Sequence, residues 1–174
     1  MRAEYIPEER LGKIRSRLGT RDKMIFDICL ETGTRIDDVL ALRCWQLKEN
    51  GIVVLESKTN HVRRVGISGE LSTRLKGYVR GRHALSYVFR GAGRKGQRKK
   101  LNRSTFWRNM VRAARICGYK EEVYTPHSLR KVYAVRLLHK TRSLEAVRRD
   151  LGHKHLSTTM LYALSDRMDE LDLY

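Results

Sequence analysis

Apolar side chains recur at helical spacing along most of the chain, with one interruption. Residues 7–18, "PEERLGKIRSRL", open with Pro7 where a first helical position would fall and two acids in the first turn. Met24, Ile25, Ile28 and Cys29 predict a helix over 21–31, which "TGTR" breaks at Gly33. A second follows over about 35–43 with Ile36, Val39, Leu40 and Leu42. The period then shortens. "GIVVLESKTNHVRRVGIS" is β-branched on both sides of a polar centre at Ser57–His61, the pattern of a β-hairpin turning near "KTNH".

Helical spacing returns over 70–80 and again over 104–117, where Phe106, Met110, Ala113 and Cys117 form one stripe. Arg108, Arg112 and Arg115 repeat the same rhythm on another face. Three shorter helices are predicted at about 127–140, 143–151 and 157–164, with Ser143 and Ser157 as N-caps and Gly152 as a C-cap. The expectation is an α+β fold, mainly helical, with one small antiparallel β-sheet near the N-terminal third. The 174 residues suit a single domain.

Charge changes the picture. Lys and Arg number 37 against 19 acids, a formal charge of +18. Such self-repulsion is explained by a polyanionic partner, nucleic acid before an anionic membrane or a merely basic surface. "RGAGRKGQRKK", residues 90–100, has three glycines among six basic residues and reads as a flexible loop facing a phosphate backbone. Arg94, Lys95, Arg98, Lys99 and Lys100 of that loop, with the Arg108, Arg112 and Arg115 stripe, are the expected DNA contacts. No apolar run approaches the ~18 residues of a membrane span. Cys29, Cys44 and Cys117, odd in number and without CxxC spacing, read as buried thiols in a reducing compartment. A cytoplasmic protein is expected.

Four segments carry reactive side chains: Arg35 in "TGTRIDDVLAL", Lys58 in "SKTNHVRRV", His127 and Arg130 in "PHSLR", and His153 and Tyr162 in "LGHKHLSTTMLY". Singly, each has an ordinary reading. An arginine after a turn is usually a cap or surface residue, a turn lysine is solvated, a histidine after proline caps a helix, and an apolar-flanked tyrosine is core. A metal site at "HKH" fails on geometry, since residues two apart on a helix diverge by about 200°. Together the set suits attack on a phosphodiester. Arginine forks can hold phosphate oxygens and offset the charge of a pentavalent transition state. A lysine can protonate the leaving oxygen, and a histidine can take the proton of a tyrosine nucleophile.

In these segments the chain resembles the catalytic domain of the tyrosine recombinases, the phage-integrase family. "TGTRIDD", "SKTNHVRRVGI", "HSLR" and "LGHKHLSTTMLY" match the family's boxes in order and spacing over about residues 5–165. The resemblance implies that Tyr162 is the nucleophile, that Arg35, Arg130 and His153 bind the phosphate, that His127 is acid/base and that Lys58 protonates the leaving 5′-oxygen. It implies that Asp38 supports Arg35 or the histidine, that His155 is a cap or surface residue, and that neither metal nor any other cofactor takes part. Double-stranded DNA is the implied partner, with four protomers on paired sites. With the first box near residue 32, a separate DNA-clamping or arm-binding domain is not expected in this chain, which reads as a minimal single-domain recombinase or an isolated catalytic portion. The acidic, partly apolar tail 165–174 is expected to dock on a neighbouring protomer. Two rival readings are a non-catalytic DNA-binding protein of the same fold and a relaxing enzyme like the type IB topoisomerases.

Overall fold

The computed structural model describes residues 3–57, 61–91, 99–119 and 124–166. Eight helices carry the fold: α1 (Glu8–Ser16), α2 (Thr20–Thr32), α3 (Ile36–Ala41), α4 (Gly69–Tyr78), α5 (Arg103–Ile116), α6 (Pro126–Thr141), α7 (Leu144–Leu151) and α8 (Leu156–Ala163). α2 is buried on all sides over Met24–Cys29, Asp27 included, so it runs through the centre. Met24, Ile25, Phe26, Ile28 and Cys29 are all buried there. α6 packs along it and presents Leu129 and Val132 to the same core. The α5 stripe points inward as expected, with Phe106, Met110 and Ala113 buried, whereas Arg108, Arg112 and Arg115 are exposed.

Local chemistry sets the helix ends. Asn102 caps α5 and Ser143 caps α7, each accepting a backbone N–H on its side-chain oxygen. Thr125 and Ser128 form a reciprocal capping box at the start of α6, with Pro126 at the first helical position. Pro7 lies one residue before α1 instead of opening it. Ser157 is not a cap. The connection after α7 is so short that helical geometry has resumed by Leu156, which leaves His155 in the capping position without a side-chain bond to the helix.

The sheet has three antiparallel strands in the order β1 (Leu47–Lys48), β2 (Gly51–Leu55) and β3 (Val62–Gly66). β2 and β3 are the expected hairpin, with Leu55 opposite Val62 and Val54 opposite Arg63. β1 is additional. Two residues are too few to register as a period, and this strand exists through its pairing with Ile52 and Gly51. Alternation along β2 buries Ile52 and Val54 and turns Leu55 outward. Of the cysteines, Cys29 is buried, but Cys44 and Cys117 are only half-buried, because both stand at helix ends where one side faces water.

The last two helices form a lesser cluster. Ala134, Val147, Leu151 and Ala163 are its buried members, with Tyr133 and Tyr162 packed against them. α7 and α8 therefore rest on α6 around a small buried cluster of their own, and this is the part of the fold that carries His153 and Tyr162.

Candidate active site

Two turns and one helix build the core of the site. At the end of α2, Thr32 donates its hydroxyl to the Ile28 carbonyl, and Gly33 closes the helix at φ +59°. A side chain there would meet the Tyr133 ring and come within 2.9 Å of Leu151 Cδ2, so glycine is required both for its backbone and for its size. Arg35 follows in extended conformation immediately before α3, which aims it away from the helix it precedes. At the end of α7, Gly152 plays the corresponding part at φ +60°.

Arg130, on α6, joins the two turns. It is buried and donates to the carbonyl of Gly33 and, at 2.5 Å, to that of Leu151. One guanidinium thus fixes the segment before Arg35 and the segment before His153. Burial, then the repulsion of Arg35, lowers its pKa to about 10, which still leaves it cationic at neutral pH.

His153 turns inward from the second turn. Its Nδ1 lies 3.2 Å from the buried hydroxyl of Thr159, and its ring meets that of Tyr162 edge-on at 5.2 Å. Burial, then Arg130 and Arg35, push its pKa down to about 4, so the ring is neutral at pH 7. In the tautomer in which the Thr159 hydroxyl donates to Nδ1, the ring carries its proton on Nε2, where it can donate to a phosphate oxygen. His155, two residues on, is exposed. Tyr162 is half-buried and lines a cleft of ≈ 580 Å³ together with His127, Lys131, Trp107 and Ser104. The structure therefore brings Arg35, Arg130, His153, Tyr162 and His127 to one region from two helices, α6 and α8, and two turns.

The remaining expected residues fall differently. Lys58 lies outside the described residues, as do Arg94, Lys95 and Arg98. The hairpin that leads to Lys58 is well defined up to Ser57. Asp38 is buried on α3, and its Oδ1 accepts from the Ser57 backbone N–H at 3.1 Å and hydroxyl at 2.8 Å. This oxygen of Asp38 thus grips the end of the hairpin strand. The carboxylate facing Arg35 is Glu56, 3.6 Å from Nη1. Sequence reasoning missed Glu56, Arg63, Thr159 and the buried Lys131. Strand alternation could have found the first two: Glu56 is in phase with buried Ile52 and Val54, and Arg63 pairs with Val54.

Basic side chains surround the cleft. Ser104 and Arg103 line it at the start of α5, and Arg108, Arg112 and Arg115 continue from Ser104 at intervals of four, four and three residues. That stripe runs about 16 Å along the helix. Lys99 and Lys100 are exposed, with Lys100 bridged to Arg90 at the base of the 90–100 loop.

The chain is similar to known tyrosine recombinases in sequence and in fold. The tyrosine recombinase XerA of Pyrococcus furiosus is 30% identical over 162 residues, 91% of this chain and 52% of that protein. The chain spans about half the length of the curated relatives it matches. A crystal structure of XerA recombinase superposes with a TM-score of 0.76 at 21% identity, over 99% of this chain and 66% of that one. XerH site-specific recombinase bound to its difH substrate in a pre-cleavage complex gives 0.72 at 21% identity, over 97% and 53%. These likenesses show the fold of a tyrosine-recombinase catalytic domain. With the phage integrase family model matching residues 7–168, nearly end to end, this chain belongs to the phage integrase family.

Proposed function

We propose that the protein is a site-specific DNA recombinase that cuts and rejoins DNA strands through Tyr162. The observation that carries this reading is the convergence of Tyr162, neutral His153 and cationic Arg130 and Arg35 on one region beside a basic helix face. In the proposed reaction the Tyr162 oxygen attacks a backbone phosphorus and gives its proton to His127. The bond to the 5′-oxygen breaks, and that oxygen takes a proton from Lys58. Arg35, Arg130 and the His153 Nε2–H hold the non-bridging oxygens, where charge builds in the transition state. The resulting 3′-phosphotyrosyl ester conserves the energy of the broken linkage, so the 5′-hydroxyl of a partner strand can reverse the step without ATP.

The full assembly extends the proposal. Double-stranded DNA is the partner, four protomers act on paired sites, and residues 165–174 dock on a neighbour. Family membership, the charge of +18 and the DNA-bound XerH neighbour support the DNA partner. A cytoplasmic, DNA-associated location follows from that partner.

A nicked suicide duplex, made from DNA flanking the gene, tests the reaction. Wild-type protein is expected to form a covalent protein–DNA band that resists denaturant. Tyr162→Phe loses only the hydroxyl, so it should keep DNA binding and form no band. A band from the Phe variant would remove Tyr162 from the nucleophile role. Binding by the wild type with no band would mark a non-catalytic DNA-binding protein. Relaxation of any supercoiled plasmid irrespective of sequence would mark a topoisomerase-like enzyme.

A further inference from the structure

Behind the phosphate-binding arginines lies a buried polar network that the proposed reaction does not use. Glu56 stands at the end of β2, 6% exposed, facing inward. Its Oε2 is 3.6 Å from Arg35 Nη1, and its Oε1 is 3.6 Å from Arg63 Nε. Arg63 is itself anchored three ways. Its Nη1 donates to the Asp150 carbonyl at 2.5 Å and faces the Asp150 carboxylate at 3.4 Å, and its Nη2 donates to the Thr32 carbonyl at 3.4 Å. The Asp150 carboxylate in turn accepts from the Tyr133 hydroxyl at 2.7 Å. The network therefore ties the hairpin, the turn before Arg35 and the end of α7 before His153 into one unit.

Arg35 sits differently from its neighbours. Arg130 and Arg63 are each held by backbone carbonyls. Arg35 Nη1 is buried and makes no hydrogen bond among the described residues. Its side chain is only 17% exposed. The carboxylate that faces it is that of Glu56. Two other guanidiniums, on Arg130 and Arg63, repel it across a poorly solvated space.

We propose that Glu56, held in turn by Arg63, is a positioning residue for Arg35. Its carboxylate offsets the repulsion among three clustered arginines and so fixes the Arg35 guanidinium before a phosphate arrives. An arginine placed in advance stabilises developing charge without reorganising, which is where such a donor gains most of its effect. The backbone bonds that hold the other two arginines do not reach Arg35 Nη1. The inference rests on the proposed cleavage reaction for its consequence, but its structural half stands apart from that reaction.

The test has two arms. In DNA-free protein, the Arg35 Nε–H resonance is observed by ¹⁵N relaxation. Wild type is expected to show a rigid Arg35, and Glu56→Gln a mobile one, with Arg130 unchanged. Equal rigidity in both would overturn the proposal whatever the protein does to DNA. In the second arm, single-turnover cleavage is compared on a suicide duplex with an ordinary scissile phosphate and on one with a methylphosphonate there. Glu56→Gln is expected to slow the ordinary substrate on the order of tenfold. It should slow the methylphosphonate less, because an uncharged phosphoryl group draws less on Arg35. Equal losses on both would assign Glu56 to the fold alone and overturn the proposal. The paired variant Glu56→Gln with Arg63→Met removes both charges together, so neither is buried alone. It should show the same selective loss, and it serves if the single variant fails to fold. A wild type that shows a rigid, Glu56-dependent Arg35 yet no cleavage would leave the positioning intact and count against the recombinase reading instead.

Discussion

At the scale of single residues, His153 shows how surroundings set chemical state. An imidazole ordinarily half-titrated near pH 6.5 is held down to about 4, first by burial and then by Arg130 and Arg35. Because the folded value lies below the unfolded one, the unfolded chain binds more protons between the two. This group's contribution to stability is therefore full above about pH 6.5, falls as the pH drops toward about 4, and is lost below that. Urea midpoints of DNA-free protein measured from pH 7 to pH 4 should fall less steeply in His153→Asn than in wild type. Parallel curves would mean that the ring titrates in the folded state as it does in the unfolded one. The residues proposed to react were legible in the sequence, since Arg35, His127, Arg130, His153 and Tyr162 together suit attack on a phosphodiester. Their supports were not. Thr159 looks like one hydroxyl in a helical run, and its bond to His153 Nδ1 depends on how the α7–α8 turn folds. Asp38, three residues after Arg35, also bonds to Ser57 across the fold, a contact that local helical spacing does not reveal.

At the scale of elements, the periodic signals gave helices where apolar stripes were long and the hairpin where β-branched residues flanked a polar centre. They failed where an element exists only by pairing, as with two-residue β1, and where a short connection decides the cap, as at Ser157. A stripe also says nothing about how firmly a helix is held. α2 buries eight of its residues, Asp22, Met24, Ile25, Phe26, Asp27, Ile28, Cys29 and Thr32. α8, which carries the proposed nucleophile, buries Thr159 and Ala163 and leaves Leu156, Met160 and Leu161 between 43% and 48% exposed. Helix stability comes chiefly from such packing, so α8 should open locally well before the domain unfolds. Native-state hydrogen exchange of the DNA-free protein is expected to show Met160–Ala163 amides opening at a free energy lower than that of α2 by more than about 2 kcal/mol. Matching protection in the two helices would place α8 within the main cooperative unit. A loosely seated α8 is what a covalent step through Tyr162 calls for, since its hydroxyl must approach a phosphorus that the rigid arginine turns hold in place.

At the scale of the molecule, a charge of +18 on 174 residues has to be arranged so that the core does not suffer from it. Partly buried arginines are paired locally, Arg15 and Arg74 with Asp27 and Arg63 with Glu56 and Asp150, while the buried Arg130 is held by backbone carbonyls. The surplus lies outside, and α5 shows how it is aimed. Ser104 lines the Tyr162 cleft, and Arg108, Arg112 and Arg115 lead away from it, all exposed. Over about 16 Å of helix, a DNA strand passes several phosphates at about 3.4 Å each. A duplex with one phosphate at Tyr162 can therefore lay its backbone along α5. Each phosphate neutralised by such a side chain releases condensed cations, and the logarithm of the binding constant falls with the logarithm of salt by about 0.9 per contact. Replacing Arg108, Arg112 and Arg115 with alanine should reduce that slope by about 2–3 units. It should leave the melting temperature nearly unchanged, because the three side chains lie outside the core. The slope is read from binding titrations at a series of salt concentrations on a fixed duplex. A slope equal to that of wild type would mean that this face of α5 looks into solvent when DNA is bound, and that the backbone leaves the cleft in another direction.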